Sequence, residues 1–179
     1  MHKAKHLVGL PVIDAALGKQ IAAVRSVLVD IRARRIAALV VQRGGLLGSG
    51  RAFCWHQIQA IGDAAVILAE GEEAVPLPEV KELYAGAQAL EELSGKPILH
   101  WDGTLVGTFA DVVFDPQTGR IAQIVVSDGI LQALVGDQTL MAVPAQIAFG
   151  EGNIIIGADD GPPGDLEMKL DPPESDRRW

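Results

Sequence analysis

Cys54 and His56 are the pair best placed by spacing for covalent chemistry. If residues 51–55 form a strand, positions two apart share a face, as a thiol nucleophile and its base would. Nothing in the surrounding sequence identifies an acid to orient the base or donors for an oxyanion, so a packed thiol is expected. The remaining histidines, His2, His6 and His100, add no zinc-ligand spacing, and Cys54 with His56 supplies at most two of the four or so ligands that a structural zinc wants. Gly44-Gly-Leu-Leu-Gly-Ser-Gly50 is glycine-rich but lacks the Gly-Lys-Ser/Thr ending and the strand-to-helix setting of a phosphate loop. Asp30 and Asp115 each end an apolar run before a turn, where capping explains them. No catalytic residue, metal site or cofactor is therefore expected, and the chain reads as non-enzymatic.

Binding chemistry is better represented. Arg32, Arg34, Arg35, Arg43 and Arg51 could contact phosphates, with Phe53 and Trp55 as nearby stacking groups. Leu46 and Leu47, and Ile130, Leu131, Leu134 and Val135, are apolar residues in predicted loops. Exposed, they would form a patch that wants a protein partner; folded back, they would close a core. Leu131, Leu134 and Val135 have helical spacing, which makes the second loop the better interface candidate.

The elements that carry these residues come from a duplication. Residues 27–41 and 112–126 align at a constant offset of 85, so that Asp30 matches Asp115, Arg35 matches Arg120, Ile36 matches Ile121 and Val41 matches Val126. Each copy opens with a hairpin (Pro11-Val-Ile-Asp, then Pro97-Ile-Leu-His) and continues in partly alternating, β-branched runs ending at Asp30 and Asp115. Asp115-Pro-Gln-Thr-Gly119 is a strong turn; Asp30-Ile-Arg-Ala-Arg34 has neither Pro nor Gly and is chemically weaker. The apolar strands 35–42 and 120–127 should be central. Short strands with glycine-rich turns argue for one small β-barrel per copy.

The expectation is an all-β chain of two tandem barrels, residues 1–69 and 90–158. An acidic linker with a short helix, 70–89, joins them, and a disordered acidic tail, 159–179, follows. Glu70–Pro78 reads as extended, and the apolar spacing over Glu79–Leu93 suits a helix that Gly86 weakens. At about 65 residues each, the barrels are small enough to lean on one another.

The net charge of −8 is unevenly spread. Residues 1–69 hold nine Lys/Arg against three Asp/Glu, and residues 70–179 hold six against twenty. Such polarity suits domains that attract each other or face different partners. A single cysteine excludes an intrachain disulfide, and no apolar run reaches the roughly 18 residues of a membrane span. With no secretory signal pattern either, a soluble cytoplasmic protein is expected.

The ordered series of motifs resembles the PRC-barrel family. In the first copy it comprises Gly9, Pro11-Val, Gly18 with Ile21, Val27-Leu-Val-Asp30, Leu39-Val-Val41, Gly44-Gly-Leu-Leu-Gly48 and Ile61-Gly-Asp63. In the second it comprises Gly95, Pro97, Gly103 with Val106-Gly107, Asp115 with Thr118-Gly-Arg120, Ile124-Val-Val126 and Val143-Pro144. The resemblance implies a bacterial β-barrel used as a binding or assembly module, with an unidentified protein partner or a second copy of itself. The family's settings imply two alternatives. One is an RNA- or ribosome-associated factor, like the ribosome maturation factor. The other is an accessory of a photosynthetic reaction centre or another membrane electron-transport complex, like the H subunit's barrel without its membrane helix, held peripherally at the membrane.

Overall fold

The computed structural model describes residues 1–42, 50–127 and 138–157. The first copy contains β1 (His2–Lys3), β2 (Pro11–Asp14), β3 (Lys19–Asp30), β4 (Arg35–Gln42), β5 (Arg51–Cys54), β6 (Ile58–Ile61), β7 (Val66–Leu68) and β8 (Val75–Pro76). Helix α1 (Leu77–Leu83), β9 (Gln88–Ala89) and helix α2 (Leu90–Leu93) lead to the second copy: β10 (Pro97–His100), β11 (Leu105–Phe114), β12 (Ile121–Ser127), β13 (Gln138–Ala142), β14 (Ile147–Phe149) and β15 (Ile154–Ile156).

The two sheets have one topology. Strand order is β6-β7-β2-β3-β4-β5-β8 in the first and β14-β15-β10-β11-β12-β13 in the second. In each, the opening strand pairs in parallel with the closing one, Val12 beside Val66 and Ile98 beside Ile154. The irregularities coincide as well. The long strand breaks register at Val24/Ser26 and Leu28/Val29 in the first copy, and at Phe109/Asp111 and Val113/Phe114 in the second. Such bulges bend a strand and increase its twist, which lets a sheet curl around its core. Two barrel-like domains are therefore present, as the duplication predicts.

The run Ile36–Val41 is buried throughout because both of its faces are covered. Ile36, Leu39 and Val41 join the main core. Ala37, Ala38 and Val40 join a smaller cluster with Leu28, Ala52 and Cys54, beneath Val80 of α1. The linker is thus part of the fold. The extended stretch expected at 70–78 ends as β8, paired with β5, and the single helix expected over 79–93 is two short helices separated by β9. The first helix ends at Leu83 in a turn over 84–86, and a Cβ on Gly86 would come within 3.1 Å of an Asp30 carboxylate oxygen. A side chain at this position would crowd that buried acid.

The copies are joined reciprocally. The N-terminal strand β1 pairs with β11 of the second copy, His2 opposite Phe114. Strand β9, just before the second copy, pairs with β3 of the first, Gln88 opposite Val29. Exchanging the copies turns one pairing into the other. The same holds where the two long hairpins meet: the Ile36 N–H donates to the Gly119 carbonyl at 2.8 Å, and the Ile121 N–H donates to the Arg34 carbonyl at 2.9 Å. These bonds flank an antiparallel bridge between Arg35 and Arg120, the natural position of an approximate two-fold axis. Leu7, Ile36 and Phe53 of the first copy share one core with Phe114, Ile121 and Ile124 of the second.

Gly119 has φ +71°, and its counterpart Arg34 has φ +54°, a left-handed conformation that is rare outside glycine. A Cβ on Gly119 would lie 2.4 Å from the Trp55 ring, so the indole occupies the space a side chain would need. Gly119→Ala should therefore destabilise the protein by about 2–4 kcal/mol through backbone strain and overpacking. Thermal unfolding would show the loss, and a Trp55→Ala background should return the overpacking share.

Asp111 is buried in the same region and accepts the Lys5 N–H at 3.2 Å. Burial pushes its carboxyl above the ordinary value of 3.8, against hydrogen bonds from the Val112 and Lys5 amides. A raised native pKa means the folded state holds its proton longer than the unfolded state, so this group's contribution to stability falls as pH rises above 3.8. Asp111→Asn keeps an oxygen for both amides and carries no charge. The expected result is a smaller fall in melting temperature as pH rises above 3.8 than wild type shows.

Candidate interaction surface

The apolar loop candidates Leu46, Leu47, Ile130, Leu131, Leu134 and Val135 lie outside the described residues, as does Arg43. The other four arginines make contacts within the chain. Arg34 donates to the Val143 carbonyl at 3.0 Å, and Arg32 donates to the Ile147 carbonyl at 3.2 Å while its guanidinium lies over the Phe149 ring. Both contacts cross from the first copy to the second. Arg51 donates through two nitrogens to the Ala74 carbonyl, which anchors the linker beside β5. Arg35 stacks over Tyr84 at 4.9 Å.

Cys54 and His56 do not share a strand face. β5 ends at Cys54, and residues 55–57 form a 3₁₀ turn that leaves Cys54 buried and His56 exposed. Burial pushes the Cys54 thiol above its ordinary value, with a hydrogen bond to Tyr84 opposing the shift, so the thiolate is disfavoured. Buried Gln57 closes this turn through its side chain: Oε1 accepts the Cys54 N–H at 2.8 Å, and Nε2 donates to the Glu72 carboxylate at 2.6 Å and to the Glu73 carbonyl at 2.9 Å. Asp30 and Asp115 cap turns as expected, with Asp30 accepting the Ala33 N–H and Asp115 accepting from Gln117 and Thr118. Among the described residues no group of three or more His, Cys, Asp or Glu could hold a metal. An open groove between β3 and the linker is lined by Arg25, Ser26, Lys81, Glu91 and Glu92, with charges of both signs.

The surface feature that stands out is apolar and lies on the outside of the second barrel. Ile98, Ile154 and Ile156 point into the core, so Leu99 and Ile155 between them face outward. Leu99 is directly opposite Leu105 on one side and Ile155 on the other. The three form a row across β11, β10 and β15. Leu105 is 52% exposed and Ile155 is 45% exposed. Trp101, 69% exposed, stands at the tip of the hairpin that leads into the row. The corresponding row of the first barrel is Gln20, Ile13 and Ile67, with the polar Gln20 in place of Leu105. A solvated strand face is ordinarily polar, so a row of branched apolar residues marks a surface suited to burial. The sequence carried a signal for it. In the uninterrupted run Ile154-Ile-Ile156, a strand can turn only the outer two residues to one side, and the middle one must face the other way.

Among the described residues no helix is long and apolar enough to cross a membrane. Comparison with curated proteins finds no match. Among solved structures, the chain is similar to a crystal structure of a Pseudomonas aeruginosa protein assigned to 16S ribosomal RNA processing, RimM. The two are 17% identical, the match covers 75% of this chain and 77% of that one, and the TM-score is 0.29. The model of the PRC-barrel domain family matches residues 1–78 and matches again over residues 86–161. Two matches that together span most of the chain, on two sheets of one strand order, make this protein a member of the PRC-barrel family with two such domains in tandem.

Proposed function

We propose that this chain is a non-enzymatic, cytoplasmic protein-binding and assembly module whose partner docks on the outer face of the second barrel. The observation that carries the reading is the apolar row Leu105, Leu99 and Ile155 with Trp101 at its end. Burial of such residues drives association through the hydrophobic effect, and an exposed Trp beside branched aliphatics has the composition of an interface hot spot. The occupant is a protein surface with an apolar patch of its own. Arg32, Arg34, Arg35 and Arg51, four of the five arginines that could have favoured a phosphate backbone, make contacts within the chain, which is why the protein-binding reading is preferred over the RNA-associated one.

The test is affinity capture from native lysate at low and high salt, with and without nuclease, followed by direct binding of the purified partner. Leu105→Glu/Ile155→Lys changes only outward-facing positions and should keep the melting temperature within a few degrees of wild type. It should weaken partner binding by about tenfold or more, because hot-spot truncations commonly cost over 1 kcal/mol. Binding unaffected by the double variant, or capture abolished by nuclease and by salt, would overturn the reading in favour of an RNA-associated factor.

A further inference from the structure

The two copies close their opening hairpins with different chemistry. Asp14 and His100 hold equivalent positions, paired with Leu68 and Ile156 on the closing strands. Asp14 closes its turn by accepting the Ala16 and Leu17 N–H groups at 2.8 and 3.0 Å. In the second copy a histidine stands there, and the carboxylate comes two residues later. Asp102 accepts the Thr104 N–H at 2.8 Å, and its Oδ1 lies 3.3 Å from the Nδ1 of His100. Trp101, the exposed end of the apolar row, stands between them in sequence, its ring centre 6.0 Å from that of His100.

The Nδ1 of His100 is shielded from solvent and, among the described residues, has no hydrogen-bond partner. A buried nitrogen left so costs free energy, and a lone pair turned toward a carboxylate costs more. Hydrogen bonds from Thr104 hold the Asp102 carboxyl below its ordinary value of 3.8, with His100 a lesser cause, so Asp102 is an anion wherever a histidine titrates. A proton on Nδ1 turns this approach into a charge-assisted pair. The neutral ring can also carry its proton on Nδ1, but only the imidazolium brings a charge. The other neighbours of His100 do not titrate: Ile156 stands beside it on β15, and the Thr104 carbonyl accepts its N–H on the β11 side.

We propose that His100 is a pH-sensitive latch on the docking face: its protonation closes the contact with Asp102, fixes the hairpin tip and holds Trp101 at the end of the row Leu105, Leu99 and Ile155. The latch acts on the face proposed above, and so rests on that reading; it adds regulation, with docking stronger as pH falls. The first barrel's turn, closed by Asp14, contains no histidine. The His100 and Asp102 side chains are 28% and 51% exposed, so water screens the pair and the effect is modest.

Nuclear magnetic resonance of the full chain between about pH 5 and 8 tests this. In wild type the Trp101 indole N–H signal should shift with the midpoint of the His100 ring, and its heteronuclear NOE should rise on the acid side. His100→Gln should abolish that shift. Asp102→Asn, which keeps an oxygen for the Thr104 amide, should leave the His100 ring titrating while Trp101 no longer follows it. From about pH 8 to 5.5, affinity for the partner purified by the capture above should rise about two- to fivefold more in wild type than in Asp102→Asn. A Trp101 signal indifferent to His100, or one that follows it equally in Asp102→Asn, would overturn the latch and leave the docking face standing. An equal rise in affinity in both proteins would overturn the latch's role in docking. A Trp101 that follows His100 as expected, with partner binding untouched by Leu105→Glu/Ile155→Lys, would support the latch and overturn the docking face.

Discussion

The hydrogen-bonded meeting of the two long hairpins is the constraint on which the rest of the molecule depends. Each barrel is near the size at which one core barely supports itself, since small domains bury a smaller share of their chain. The Ile36 to Gly119 and Ile121 to Arg34 bonds fix the barrels at their hairpin ends. The exchanged strands β1 and β9 then tie each barrel's flank to the other copy. With orientation settled at both places, Phe114 and Ile121 enter the same core as Ile36 and Phe53, and the apolar interior becomes continuous. Neither barrel could part from the other without exposing that interior and leaving backbone groups unpaired, which is costly for both reasons.

Divergence between the copies has kept this contact by complementary substitution. Where the second hairpin has Gly119, the first copy supplies Trp55 to cover it, edge-on to Phe114 at 5.9 Å between ring centres. Where the first hairpin has Arg34, the second copy supplies Val143-Pro144 at the position of Cys54-Trp55, and the guanidinium reaches the Val143 carbonyl. A large ring against a bare backbone on one side thus corresponds to a long side chain against a small residue on the other. The pair Ser26 and Asp111 behaves similarly. The Ser26 hydroxyl donates to Glu91 at 2.6 Å, while Asp111 accepts from the backbone of Lys5, the residue equivalent to Glu91. Donor and acceptor have changed places, and the bond between the copies survives.

Much of the fold was legible because strands leave a local trace. The β-branched runs at 35–42 and 121–127, the Asp-Pro-Gln-Thr-Gly turn and the repeat itself all depend on neighbours in sequence. What depends on partners far along the chain was not legible. Arg34 holds a conformation that glycine would hold more easily, and the turn signal at 30–34 looked weak for that reason; the two backbone bonds to the other hairpin hold it in place. The helix expected over 79–93 ends at Leu83, and the periodicity of Val80, Leu83, Ala87 and Leu90 says nothing of the pairing of Gln88 and Ala89 with β3. The outward row of Leu99, Leu105 and Ile155 could have been suspected from Ile154-Ile-Ile156. Its continuity, however, required the register of three strands far apart in sequence.

The charge asymmetry takes on a different meaning beside these contacts. A basic first half and an acidic second half suggest barrels held together by opposite charges. The contacts across the junction are of another kind: Arg32 and Arg34 donate to backbone carbonyls, Lys3 to Gln138, and Lys5 to Ser94. Among the described residues no lysine or arginine is ion-paired with a carboxylate; the one approach of this kind is between the His100 ring and the Asp102 carboxylate, at 3.3 Å. Carbonyl acceptors bring no second charge to desolvate, and their geometry is set by the backbone, so they fix position without the burial penalty of an ion pair. Among the described residues, the cationic side chains at the junction therefore donate to neutral acceptors.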